Sequence, residues 1–298
     1  MSTLKKYQED PKYLLDSAFN FYRSKKIRTA IVEGLCDKRF LLQWTRKDAP
    51  IRFDGFSGKS LVEKVFHRAK TVPYAAHDFL YFFADVDYDV LIEKSLHDHP
   101  KFIYNAFCSE EQRVVYNDLE IYLINSPALE KTLANLDIEP STADSLRERL
   151  ERASRDIGAL RVADEIVRKR EKLTNSVLNG LEIEPFFDPV NLCVDMKKLK
   201  TSIPNWSNYR YYVDDLIEAA QRVNVDSPAP WSLSRGHDVT EMLSLHVERK
   251  GHKGMVKEKI ELMLRLACEL PHYLNSPMGR KLHKCEPVQS SFLNVATE

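Results

Sequence analysis

The chain carries no surplus of either charge: 44 Lys and Arg stand against 44 Asp and Glu. A strongly basic footprint over the whole chain is therefore excluded, and any nucleic acid must be met by a local basic patch, a metal or a partner chain. The five cysteines (Cys36, Cys108, Cys193, Cys268 and Cys285) are far apart, with no Cys-x-x-Cys pair. Neither a zinc site nor a disulfide framework is supported, and a reducing cytoplasm is the default. The N-terminus, Met1 to Tyr7, lacks the apolar run of a signal peptide, and no stretch approaches bilayer-spanning length, so no membrane partner is expected. Fixed-period repeats and low-complexity segments are absent as well.

Two catalytic signatures are also missing. Gly58-Lys59-Ser60 ends like a phosphate-binding loop, but Phe53 stands where the first glycine is required. A helix cap and a turn explain these glycines better. No Gly-x-Ser-x-Gly elbow supports a serine hydrolase.

What is present suits a soluble globular protein of one large or two smaller domains: 298 residues, 43% hydrophobic and 30% charged. A leading helix is expected from Pro11 to about Lys26, where Leu14, Leu15, Ala18 and Tyr22 recur at helical spacing. Strands are expected at Ile27 to Gly34, Ile51 to Phe56, Phe79 to Ala84 and Lys101 to Phe107, separated by helices at Leu35 to Trp44, Ser60 to Lys70 and Val90 to Leu96. Phe79 to Ala84 has little polar alternation, as a central strand covered on both faces would. This order implies right-handed crossovers and a mostly parallel α/β sheet. A further helix is expected from Gln112 to Asn125. From Pro140 the composition turns helical, with Leu146, Leu150, Ala153, Ile157, Leu160, Ala163 and Val167 on one stripe, capped by Ser141 or Thr142. A hairpin around Asp188-Pro189 and helices near 211–223, 239–247 and 257–270 follow, with a loosely held tail after Pro287. The expected domains are a leading helix (1–26), a catalytic core (27–128) and a mainly helical region (129–298).

The carboxylates Glu33, Asp37, Asp85, Asp87, Asp89 and Glu120 follow or flank these apolar runs. In an open α/β sheet the ligand crevice lies at the carboxyl ends of the strands. Acids after a strand also serve as helix caps or turn residues, which suits Asp37 and Asp89. Asp85 and Asp87 sit two apart, and in extended backbone their side chains would share a face. Like charge there is costly unless a cation or proton offsets it.

Val32-Glu33-Gly34-x-x-Asp37 followed by Asp85-x-Asp87 resembles the Toprim fold of topoisomerases, primases and overcoming-lysogenization-defect nucleases. Asn117 to Leu123, Ile157 to Arg161 and Gly236-His237-Asp238 are similar to landmarks of a Toprim subfamily that includes the nuclease effectors of the PARIS anti-phage system. The resemblance implies a Toprim-like, Rossmann-like sheet with an appended mainly helical C-terminal region. It implies Glu33 as general acid or base and, with Asp85 and Asp87, as a metal ligand, and Asp37 and Glu120 as acids completing the metal sites. Asp89 extends the aspartate pair to three, and which of them ligate is open. Lys38, Arg39 and Lys59 are nearby basic candidates. Mg2+ or Mn2+ would be the cofactor. A toxic endonuclease acting on nucleic acid, with transfer RNA favoured over DNA, is the activity the resemblance implies. It further implies an ABC-type ATPase partner that keeps the enzyme silent, and a homodimer when active.

Other residues have plainer readings. His237-Asp238 reads as a catalytic pair or as the loop and cap opening a helix at Val239. His97 and His99 read as solvated loop residues. Trp206, Tyr209, Tyr211 and Tyr212 with Arg210 read as helix packing or as a base-stacking surface. The competing functions are an inert Toprim-fold binding or scaffold module and a phosphoryl-transfer enzyme on small nucleotides.

Overall fold

Four short runs pair into one parallel sheet, β1 (Arg28–Val32), β2 (Ile51–Gly55), β3 (Leu80–Asp85) and β4 (Phe102–Asn105), in the order β2-β1-β3-β4. A computed structural model describes residues 9–105, 116–286 and 291–294. Thr29 pairs with Leu80 and Val32 with Phe83, while Phe82 pairs with Phe102 on the other side of β3. The central strands are covered on both faces: Ala30, Ile31, Val32, Tyr81, Phe82, Phe83 and Ala84 are all buried. Their unbroken apolar character is what two-sided burial demands.

The described residues form two units, and the sheet belongs to the one made of Met1–Asp85, His97–Asn105 and Leu270–Glu298. Within it α1 (Pro11–Lys25) is started by the Asp10 side chain, which accepts from Lys12 N at 2.8 Å, and stopped by Lys26 at φ 57. α2 (Leu35–Leu42) connects β1 to β2, and α3 (Lys59–Ala69) connects β2 to β3. These crossovers run in opposite directions along the sheet, so right-handed connections put α2 and α3 on opposite faces. α1 packs against α3 and β1. Gly55 (φ 109) is required where β2 ends, because a Cβ there would lie 2.6 Å from the Val32 carbonyl oxygen. The Gly58 N–H is taken by the Glu33 carbonyl at 3.0 Å, so this turn closes on its own backbone.

The chain returns to this unit through α11 (Leu270–Asn275) and α12 (Pro277–Cys285), the latter against β4. Arg28 and the Tyr81 hydroxyl both bond the buried Glu286 carboxylate. Beyond it Leu293 bridges to Thr45, and Arg46 N donates to Phe292 O at 3.0 Å. The expectation of a loosely held tail is corrected for Ser291–Asn294, of which Ser291, Phe292 and Leu293 are buried. Residues 287–290 and 295–298 lie outside the described residues.

The second unit, Val86–Leu96 with Ala106–Glu269, is helical. It comprises α4 (Leu119–Ile124), α5 (Ala128–Ala134), α6 (Ala143–Glu171), a hairpin of β5 (Phe187–Asp188) and β6 (Cys193–Val194), α7 (Met196–Trp206), α8 (Val213–Asp226), α9 (Gly236–Arg249) and α10 (Lys257–Ala267). All seven stripe residues of α6 are buried, and α6 packs mainly on α8.

Several local expectations are corrected. Residues 90–96 form turns and irregular chain, because Asp87 (φ 51) and Glu93 (φ 58) are left-handed and Lys94 N closes on Asp89 O at 2.8 Å. Of the helix expected from Gln112 to Asn125, 112–115 lie outside the described residues, 116–118 are not helical, and the Asp118 side chain caps Leu119–Ile124 by accepting from Ile121 N at 3.0 Å. Thr142 does not cap α6 with its side chain but donates its hydroxyl to Glu139 O at 2.7 Å. Cys36, Cys193, Cys268 and Cys285 are free thiols, and Cys108 lies outside the described residues. Among the described residues no helix is long and apolar enough to cross a membrane.

Candidate functional site

β1 and β3 are neighbours, yet β1 is followed by β2 on its other side and β3 by β4 on its other side. Their carboxyl ends thus form the topological switch point of the sheet, where open α/β folds place their ligands. Glu33 follows β1, and Asp85 is the last residue of β3. The Glu33 carboxylate accepts from the Asp85 backbone N–H at 3.1 Å, which brings two half-buried acids to this edge. Asp37, the third residue of α2, accepts from Gly34 N at 2.8 Å and so secures the start of its own helix. Lys38 lies over the Phe56 ring at 5.3 Å.

The strand ends at Asp85, and Asp87 is left-handed, so the alternation that would give these two side chains one face does not extend to Asp87. Asp87, Asp89, Glu120, His237 and Asp238 all belong to the helical unit. There Asp87 N donates to Asn117 O at 2.7 Å. A cavity of about 390 Å³ in this unit is lined by Asp87, Asp89, Asp118, Arg161, Asp164 and Arg235, among others. Asp89 is paired with Lys94 at 3.3 Å, and Asp164 accepts from Ser176 Oγ at 2.5 Å and Val177 N at 2.7 Å.

The three landmarks of the helical unit converge on one loop, residues 227–235. Asn117 Nδ2 donates to the carbonyls of Ser232 (2.8 Å) and Ser234 (2.7 Å), and Asp118 accepts from Gly236 N at 2.6 Å. Gly158 abuts the Leu233 carbonyl, and the Tyr88 hydroxyl donates to that carbonyl at 3.2 Å. Arg161 grips Asp238 with two bonds of 2.6 and 2.8 Å. Asp238 is therefore a buried ion-pair partner within the first turn of α9, which opens at Gly236 and not at Val239.

Glu120 is buried against Arg265 at 3.6 Å, and Arg265 also approaches Glu261 at 3.8 Å. His237 Nδ1 and Glu261 Oε1 are 2.8 Å apart. That bond chiefly lifts the His237 imidazole to about 9, against burial. Burial opposes ionisation of Glu261, but the hydrogen bond and charge of His237 outweigh it and hold the carboxyl below its ordinary range. Burial raises Asp118 to about 6, although Gly236 and Ile121 N–H groups favour its anion.

His97 and His99 are half-buried, and both rings pack on Phe66, at 4.8 and 5.4 Å, while His97 also meets Phe102. Tyr211, by contrast, is almost fully exposed. Among the described residues no group of three or more His, Cys, Asp or Glu side chains is placed to hold a metal ion. Sequence reasoning missed the Arg161–Asp238 and Asp118–Gly236 contacts as pairs, because each joins residues far apart in the chain. Compared with family models, curated proteins and solved structures, the chain finds no match.

Proposed function

We propose that the chain is a metal-dependent endonuclease of Toprim type that hydrolyses phosphodiester bonds, with transfer RNA the favoured substrate and an ABC-type ATPase the partner that holds it inactive. The observation that supports this reading is the Glu33–Asp85 contact at the switch point of a parallel sheet. Substrate, partner and toxicity rest on the resemblance of the Glu33, Asp37 and Asp85-x-Asp87 motifs alone.

Two carboxylates fit Mg2+, which keeps several waters and is commonly bound through one or two acids. When bound, such an ion polarises a phosphate oxygen and lowers the pKa of a coordinated water. Asp85, with Glu33 beside it, would hold the ion. Glu33, oriented by the Asp85 N–H, would take or return the proton at the attacked phosphodiester. Asp37 and Glu120 are assigned no step, since the one secures α2 and the other faces Arg265.

An inert binding module is the second reading, favoured by the lack of a three-acid group among the described residues. The test is incubation of transfer RNA and of single-stranded DNA with the chain in Mg2+, Mn2+ or chelator. Metal-dependent cleavage that vanishes in Glu33→Gln and Asp85→Asn supports the enzyme. No cleavage in any condition, with partner binding indifferent to both substitutions, supports the module.

A further inference from the structure

The zero net charge is the sum of two opposite surpluses. Over Met1–Asp85, His97–Asn105 and Leu270–Glu298 the sequence carries 20 Lys and Arg against 13 Asp and Glu, whereas Val86–Leu96 and Ala106–Glu269 carry 24 against 31. The sheet unit alone is therefore markedly basic, which is the electrostatic character a polyanion ligand selects.

At the amino end of β3, within this same unit, lies a pocket of about 400 Å³. Phe66, Phe79 and Phe82, all buried, back it, and Lys70, His77, Asp78, His99 and Lys101 line it with polar groups. Lys101 is committed to Asp78, at 2.6 Å. Lys70 has no such partner: it is exposed, sits 4.1 Å from the centre of the Phe66 ring, and makes no ion pair among the described residues. His99 Nδ1 accepts from Lys101 N at 3.2 Å, which leaves Nε2–H to donate. Burial and the charges of Lys70 and Lys281 hold this imidazole below its ordinary pKa, so near neutral pH it donates without carrying charge.

An aromatic-walled recess of small-molecule size, with an unpaired cation and a neutral donor at its polar side, suits a flat heterocycle joined to a phosphate. We infer that this pocket docks an unpaired nucleotide of a single-stranded nucleic-acid segment, its base in the recess between Lys70 and His99 and its phosphate at Lys70. A strand is favoured over a free mononucleotide because the charge surplus extends over the whole unit, and attraction grows with the number of phosphates neutralised. For its class of ligand the inference rests on the nucleic-acid reading above. Its place is separate: Leu80 and Asp85 are five strand steps apart, about 17 Å, so the pocket and the acid edge lie at opposite ends of β3.

The test is fluorescence anisotropy of a labelled ten-nucleotide single-stranded RNA with the full chain in chelator, where no metal-dependent cleavage intervenes. Lys70→Glu is expected to weaken binding about tenfold and to lower the salt slope by about 0.7, as loss of one phosphate contact would. Lys70→Arg is expected to stay within about twofold of the native chain, and so is Lys47→Glu, the same charge change at another exposed lysine of the unit. No binding by the native chain, or equal losses in Lys70→Glu and Lys47→Glu, overturns the pocket assignment. Displacement of the RNA by equimolar adenosine monophosphate overturns the preference for a strand. Asp85→Asn separates the two proposals: lost cleavage with intact binding upholds both, whereas binding that depends on Lys70 without cleavage by the native chain upholds this one alone.

Discussion

Gly158 of α6 and Leu233 meet backbone to backbone: a Cβ at position 158 would stand 1.6 Å from the Leu233 carbonyl oxygen. Inside a helix Gly→Ala ordinarily stabilises by about 1 kcal/mol. Here the helix and the buried loop would have to part, so Gly158→Ala is expected to destabilise by about 3 kcal/mol. Urea unfolding of the purified variant reads the sign directly, and a gain in stability would show that the contact yields freely.

The Arg161–Asp238 pair ties α6 to the first turn of α9 with two charge-assisted bonds, and the Asp238 side chain is 5% exposed. Removing one partner leaves the other charge uncompensated, so Arg161→Met and Asp238→Asn are each expected to cost about 3 to 5 kcal/mol. Replacing both should cost clearly less than the two losses added. Additive losses in a double-mutant cycle by denaturant unfolding would mean that the two side chains do not act as a pair.

Protonated His237 is bound to Glu261, and its pKa of about 9 in the fold lies above the ordinary 6.5. A raised histidine pKa contributes stability that is whole below about pH 6.5 and disappears as pH climbs through about 9. Thermal midpoints measured between those values should fall with rising pH, and His237→Gln should flatten the decline. An unchanged profile in the variant would remove His237 as its source.

Glu33→Gln keeps an oxygen that can accept from the Asp85 N–H, so the sheet edge should hold its shape. What the amide loses is the ability to carry a proton or bind a cation strongly. Metal-dependent cleavage is therefore expected to drop by about a hundredfold or more with stability nearly unchanged. Native turnover in this variant would withdraw the role given to Glu33.

The central strands were readable because they are buried on both faces, so that runs such as Phe79 to Ala84 have no polar interruption. The long helix α6 was readable for the related reason that its buried positions repeat every three or four residues over many turns. The segment after β3 was not: Val90, Leu91 and Ile92 have an apolar helical look, and only the left-handed turns at Asp87 and Glu93 break it. α7 was hidden by Pro204 in its interior, and α12 was overlooked although Ser276 followed by Pro277 is a good helix start, the serine accepting from Gly279 N at 3.0 Å. At the site, the edge that carries Glu33 and Asp85 follows from strand order. The partners of Glu120, His237 and Asp238 are set by tertiary packing, which no short motif encodes. The charge division is not visible in a whole-chain total, which cancels it.

The sheet unit is assembled from chain segments that bracket the helical unit, and its final contacts are those of Phe292 and Leu293 with Arg46 and Thr45. On the ribosome the helical unit emerges as a nearly continuous piece, while the sheet must wait for the residues beyond 270 before its cover is complete. A nascent polypeptide would thus present a sheet whose Arg28 and Tyr81 still lack their Glu286 partner until the residues beyond 270 have emerged.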